Sequence, residues 1–189
     1  MKRRKNVRNT EYGCRVNAMK KKTKQITMIA MLTALYFVLS AMLKIPIAGH
    51  ITLDLGYIAL MVGAVYFGPV PAMMIGGIGA FLESALMSQR GVSIGWIVMN
   101  VIIGAAVGWA MQKYADKGKK PLVIAALISV TVSALFGAAA KMFLDCAIYD
   151  LPILLKIPTT AAAWLSDSFV MLAAGLPLSM ALRSRFRIR

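Results

Sequence analysis

Long uncharged runs organise this chain, and no short-period alternation competes with them. Residues 26–43 (ITMIAMLTALYFVLSAML) contain no charged side chain and approach the ~20 apolar residues that a helix needs to cross a bilayer. Residues 55–82 are uncharged as well but contain Pro69 and Pro71. A proline within a helix removes one hydrogen bond and crowds the preceding turn. This run is therefore expected to split into a short span, 55–68, and a second, 70–87, joined by the turn Gly68-Pro69-Val70-Pro71. Three more spans are expected at 91–112, 121–146 and 158–182. The alternative is a single kinked helix in place of the split, which gives five spans and puts the termini on opposite sides of the membrane.

Composition supports a membrane protein. Apolar residues make up 59% and charged residues 15%, whereas a soluble domain has roughly 45–50% and about 25%. A soluble chain of this length would have no interior large enough for that much apolar surface. Soluble enzymes, disordered tails and disulfide-rich secreted domains are excluded. Cys14 and Cys146 are isolated and suggest neither a disulfide framework nor a metal site.

The net charge of +15 would suit nucleic acid or a membrane surface. Its distribution decides for the membrane. Ten of the 22 Lys+Arg lie in residues 1–24, four in 113–120 and four in 183–189, so 18 flank spans on one side of a six-span topology. The positive-inside rule then places both termini in the cytoplasm. The expected fold class is an all-α integral membrane protein, a six-helix bundle. Its expected parts are a basic, disordered extension over 1–24, a membrane domain over 25–182 and a basic tail over 183–189. Met19 is a second candidate start, and an arm that binds anionic lipid is an equal reading of the residues before it. No nucleic-acid partner is expected.

A charge at the bilayer centre costs roughly 2.5–3.5 kcal/mol on insertion scales, so the charges that remain in spans are functional candidates. Glu83 lies near the outer end of span three, Lys141 and Asp145 in the last turns of span five, and Asp167 in span six. Asp54, Arg90, Asp150 and Lys156 are assigned to outer loops, and Asn100 lies inside span four. All fall toward one side, which points to a polar pocket open outward above an apolar inner half. Each has a plainer role. Lys141 and Asp145 share a helix face and can pair. Glu83 can reach headgroups, Asn100 can bond a neighbouring helix, and Arg90 can be a solvated loop cation. Tyr57, Phe81, Trp96, Phe143, Tyr149 and Trp164 gather on the same side. Their rings can sandwich a planar ligand or form an interfacial belt. His50, alone in a loop, is read as a surface residue. Gly76, Gly77 and Gly79, the Gly104-x-x-x-Gly108 motif, and Ala30-x-x-x-Ala34 mark close helix contacts.

No phosphate-binding G-x-x-x-x-G-K-[ST] loop, metal-ligand set or nucleophile elbow is present. The chain has no means of its own to use ATP, and neither cofactor nor metal is expected. Three functional classes remain on these grounds: a transporter or channel, a membrane-embedded enzyme built on Glu83, Asp145 and Asp167, and a structural subunit.

Three segments bring a family to mind. Lys20-Lys21-Lys22 precedes a span with Ala30-x-x-x-Ala34. Thr52-Leu53-Asp54-Leu55-Gly56-Tyr57-Ile58 leads to Tyr66-Phe67-Gly68-Pro69-Val70. Gly76-Gly77-x-Gly79 is followed by Asn100-Val101-Ile102-Ile103-Gly104. In order and spacing, over residues 19–182, the chain resembles the substrate-binding S components of energy-coupling factor (ECF) vitamin transporters. The resemblance implies a non-enzymatic, multi-pass protein of a prokaryotic plasma membrane. It implies capture of a water-soluble vitamin from outside and delivery inward with a membrane scaffold subunit and two ATPases. Ala30 and Ala34 would contact the scaffold, and Lys44 to Leu55 would close over the ligand. The substrate-binding set expected on both grounds is Asp54, Glu83, Arg90, Trp96, Asn100, Lys141, Asp145, Trp164 and Asp167. A carboxylate on Arg90 or Lys141 would suit folate or pantothenate. Ring donors on Asp145 and Asp167 would suit a flavin or another ring.

Overall fold

The computed structural model describes residues 2–43, 45–48, 51–87, 92–115, 117–150 and 152–185. The chain runs α1 (Lys2–Met42), β1 (Ile45–Ala48), β2 (Ile51–Leu53), α2 (Gly56–Phe67), α3 (Pro69–Met87), α4 (Ile94–Tyr114), α5 (Lys119–Tyr149), α6 (Ile153–Val170) and α7 (Leu176–Arg185), with a π-helical turn at Met171–Gly175 between the last two. Among the described residues, five helical stretches are long and apolar enough to cross a membrane: Lys22–Met42, Pro69–Met87, Ile94–Tyr114, Lys119–Tyr149 and Lys156–Leu182. The sixth apolar helix is α2, which is shorter.

The proline-directed split of the second run occurs, but the connection is tighter than the expected four-residue turn. Gly68 alone makes it, at φ +83°, a conformation open to glycine and strained for other residues. Its N–H closes α2 on the Ala64 carbonyl at 3.2 Å, and its own carbonyl receives the N–H of Ala72 at 3.3 Å. Pro69 and Pro71 lie in the first turn of α3, where a missing N–H costs no helical bond.

Other boundaries move outward. α5 starts at Lys119 and ends at Tyr149. The last span starts at Ile153 rather than at Pro158, which lies inside α6. Lys156, expected in a loop, therefore sits on α6. The expected loop over 44–55 contains an antiparallel hairpin, with Ile45 opposite Leu53 and Pro46 opposite Thr52. α1 is helical from Lys2, where disorder was expected up to residue 24. That stretch has no proline, and Gly13 is its only glycine.

The π turn has a local cause. Pro177 cannot donate to the carbonyl four residues back, and its ring would crowd that carbonyl. The N–H of Leu176 reaches the Met171 carbonyl instead, five residues back, and the widened turn absorbs the proline. Gly175 lies against α2, where an added Cβ would come within 2.9 Å of Met61 Cβ.

α2 forms the axis of the bundle. It packs against α1, α3, α4, the π turn and α7, while α4 joins α3 to α5 and α5 joins α6. The core takes Tyr36 from α1, Tyr57, Leu60 and Met61 from α2, Ile75 from α3, Met99, Ile103 and Val107 from α4, Val130 from α5, and Met171.

Candidate functional site

Polar side chains collect where the end of α1, the hairpin, the start of α2, the end of α3, the start of α4, the end of α5 and α6 meet. Local signals set their positions. Asp54 directly follows β2, and its Oδ1 accepts the N–H of Gly56 at 2.8 Å. This side-chain bond two residues forward is one that aspartate makes readily at a turn. Ser93 caps α4 by accepting the N–H of Trp96, which places Trp96 and Asn100 one turn apart at the entrance of that helix.

Ser40 is the hub. Its hydroxyl lies 2.6 Å from Asp54 Oδ2 and 2.8 Å from Glu83 Oε2. One hydroxyl holds one hydrogen, so it donates to one of the two carboxylates at a time. Glu83 Oε2 also accepts the Trp96 indole N–H at 3.1 Å. Below this, Tyr36 donates to Asn100 Oδ1 at 2.9 Å, and Asn100 donates through its amide to the Trp96 carbonyl at 2.9 Å. Ser40, Asp54, Glu83, Asn100 and Tyr36 are all buried.

A second cluster stands beside the first. Lys141 Nζ is 3.0 Å from Asp145 Oδ2, and Lys156 Nζ is 3.7 Å from the same oxygen. The pairing expected within α5 is thus extended by α6. Lys141 Nζ also lies 6.0 Å from the centre of the Trp96 ring, at the outer limit of a cation–π contact, and so links the clusters. Between them, Tyr57 meets the rings of Tyr36 and Trp96 edge-on, at 6.4 and 6.3 Å between centroids. Asp167 faces Tyr57, within electrostatic reach of Asp54 and Lys141.

Of the residues expected in the site, Asp54, Glu83, Trp96, Asn100, Lys141, Asp145 and Asp167 are gathered here. Trp164 is turned toward α5 and donates its indole N–H to the Thr131 carbonyl at 3.1 Å. Phe81, Phe143 and Tyr149 are exposed on the outside of the bundle, as an interfacial belt requires. Arg90, Lys44 and His50 lie outside the described residues. Among the described residues, no group of His, Cys, Asp or Glu side chains has the arrangement to hold a metal ion.

Two contributors from α1 were not foreseen. They are Tyr36 and Ser40, which with Thr33 are buried polar positions of α1, and their spacing of three and four puts them on one helix face. Polar groups recurring at that spacing along an uncharged span were the available signal. The small-residue motifs fall where backbones meet. Cβ atoms added at Gly104 and Gly108 would come within 2.7 Å of the Ala72 carbonyl oxygen and 2.5 Å of Pro69 Cα. Ala30 and Ala34, in contrast, are exposed on α1.

Residues 20–184 match the protein family described as ECF-type riboflavin transporter, S component. The chain belongs to this family. Among curated relatives, this S component is 31% identical over 142 residues to a UPF0397 protein of Phytoplasma australiense, covering 71% of this chain and 72% of the relative. It is 27% identical over 135 residues to a UPF0397 protein of Vibrio atlanticus, covering 68% and 74%. Among solved structures, it superposes on ThiT from Listeria monocytogenes with a TM-score of 0.65 at 17% identity, covering 87% of this chain and 96% of that one. It superposes on the S-component for biotin from an ECF-type ABC transporter with a TM-score of 0.64 at 17% identity, covering 87% and 93%. At these identities the two structures speak for the fold. Membership makes the chain a subunit of a vitamin transporter rather than an enzyme, and a multi-pass protein of the cell membrane.

Proposed function

We propose that this S component captures a water-soluble vitamin or related micronutrient of the riboflavin, pantothenate or folate class. Capture takes place in an outward-facing pocket at the hairpin end of the bundle. The gathering of buried Asp54, Glu83, Asn100, Asp145 and Asp167 at one end of an otherwise apolar bundle carries the reading. Carboxylates and amides are costly to bury, and this end concentrates them among aromatic rings, the composition of a small-molecule site. The family description favours a flavin within the three classes.

The binding set comprises Asp54, Glu83, Arg90, Trp96, Asn100, Lys141, Asp145 and Asp167, with the hairpin as the cover, and Trp164 is left out because its indole is committed to the Thr131 carbonyl. The exposed Ala30 and Ala34 let the helix of a scaffold subunit approach α1 closely, and two ATPases supply the energy this chain has no motif to harness. Both termini are cytoplasmic, consistent with 18 of 22 cations on that side.

Two measurements test this. Denaturing the detergent-purified full chain and analysing the released small molecules by mass spectrometry is expected to yield one vitamin at close to one per chain. Vesicles holding the chain with a scaffold subunit and ATPases are expected to take up that vitamin with ATP, and vesicles holding the chain alone are not. Uptake by the chain alone would overturn the reading.

A further inference from the structure

At the other end of the bundle, where α4 passes into α5, the exposed charge is of one sign. Lys113, Lys117, Lys119 and Lys120 are all exposed there. Asp116 is the one acid in the sequence between them, whereas Asp54, Glu83, Asp145, Asp150 and Asp167 belong to the hairpin end. Among the described residues, ion pairs engage Lys141 and Lys156, and none of the four corner lysines meets a carboxylate.

Aromatic rings fix two of these cations. Lys113 Nζ lies 4.8 Å from the centre of the Trp109 ring, and Lys117 Nζ lies 4.9 Å from that of Tyr114, both within cation–π range. Trp109 is 60% exposed and stands one turn before Lys113, close to the end of α4 at Tyr114. An exposed indole near the end of a span sits at the boundary between hydrocarbon and headgroups. The lysines beyond it then reach the level of the lipid phosphates. Ile124 and Ile128 of α5 are exposed as well and continue the apolar surface toward the bilayer interior.

The ring decides which anion fits. A soluble anion would meet the lysines from the aqueous side and leave Trp109 without a role. A phospholipid meets both, with its phosphate on the ammonium groups and its glycerol and upper acyl chain against the indole. A zwitterionic headgroup brings a cation of its own into a cluster of lysines, and an anionic headgroup does not. Cations concentrated beside membrane helices recruit anionic lipid in this way.

We propose that the α4–α5 corner is a binding site for an anionic phospholipid such as phosphatidylglycerol. Lys113, Lys117, Lys119 and Lys120 hold the phosphate, and Trp109 lies along the glycerol and the start of an acyl chain. The site is separate from vitamin capture at the hairpin end and does not depend on which way the chain is inserted.

Tryptophan fluorescence of the full chain in phosphatidylcholine vesicles tests it. The quencher is phosphatidylglycerol or phosphatidylcholine brominated high on its acyl chains. Trp96 and Trp164 are present in both wild type and Trp109→Phe, so the difference between these proteins isolates Trp109. Brominated phosphatidylglycerol is expected to half-quench Trp109 at about a fivefold lower mole fraction than brominated phosphatidylcholine, the factor that one cation near the surface contributes. Replacing all four lysines by glutamine is expected to bring that ratio to near one. Lys22→Gln with Lys24→Gln, exposed cations of α1 at the same end, is expected to leave it in place. If the fourfold variant does not insert, Lys119→Gln with Lys120→Gln, which touches neither ring, is expected to lower the ratio at least about twofold. Equal quenching by the two lipids overturns the proposal. So does a ratio that survives in the corner variants, or one that falls as far when Lys22 and Lys24 are replaced. A ratio abolished by inorganic phosphate assigns the lysines to a soluble anion and overturns the lipid site too.

Discussion

Gly108→Ala is expected to destabilise the protein by about 2–3 kcal/mol, the range for an overpacked contact with no room to relax, while Gly77→Ala is expected to stay within about 1 kcal/mol of wild type. The two substitutions add the same atom to a helix and gain the same propensity, about 1 kcal/mol in favour of alanine. They differ in what the new Cβ meets. At Gly108 it would lie 2.5 Å from Pro69 Cα, 2.7 Å from Pro69 N and 2.8 Å from the Gly68 carbonyl carbon. All three atoms are backbone, at the junction of Gly68 with the first residue of α3. Relief would require moving the start of α3 away from α4, and with it the only turn available to Gly68. At Gly77 the new Cβ would meet one side-chain atom and no backbone, Val101 Cγ2 at 2.9 Å, so a small shift of that stiff side chain relieves it without moving a helix. Thermal unfolding of the two variants in the same detergent checks this, and equal midpoints would show that the α3–α4 seam is softer than its distances imply.

Ser40→Ala is the second large effect. The substitution removes one oxygen and almost no volume, yet Asp54 and Glu83 each lose a short bond. Hydrogen bonds to charged groups contribute roughly 1.5–3 kcal/mol, and a shared hydroxyl is expected to contribute about 2–3 kcal/mol. Thr33→Ala on the same helix serves as the comparison. Its hydroxyl bonds only the Ile29 carbonyl of its own helix, at 2.9 Å, so its loss is expected to cost under about 1 kcal/mol. Ser40→Ala is also expected to weaken ligand retention, because Asp54 stands at the foot of the hairpin and Glu83 holds the Trp96 indole. The same melts, together with the quantity of released ligand, report both consequences. A Ser40→Ala protein as stable as Thr33→Ala would mean that the two carboxylates are held by other partners.

The split between α2 and α3 was legible because proline chemistry is local: Pro69 and Pro71 act on the turn in which they lie. Lys141 and Asp145 were legible for the same reason, since a separation of four on a helix is itself a geometry. The hairpin was not. Its strands have four and three residues, too few for alternation to stand out, although isoleucine and threonine around Gly49 carried the composition of a strand pair. Ser40 and Tyr36 were missed because charge was the criterion for a costly residue in a span. A hydroxyl is cheap enough to escape that criterion and becomes decisive only when two carboxylates from distant segments converge on it. Lys156 escapes a reading that starts the span at Pro158, because α6 runs through that proline and forgoes the bond from residue 158 to the Leu154 carbonyl. The convergence of Asp54, Glu83 and Asp167 on one end could be read from topology, whereas the facing of Asp167 and Tyr57 depends on the rotation of α6 about its own axis.

None of the residues of α2 is exposed. At about 1.5 Å per residue, twelve residues extend roughly 18 Å, well short of the ~30 Å hydrocarbon core. Enclosure spares it the mismatch that so short a helix would suffer against lipid. A thicker or thinner bilayer acts on the five long helices and reaches α2 only through them. The same enclosure shapes how the chain can diverge. Ile26, Met31 and Leu35 on α1 face outward and can drift singly among apolar residues. A change on α2 has a protein neighbour on every side, so among homologues its substitutions are expected to travel in compensated pairs with α1, α3 and the π turn.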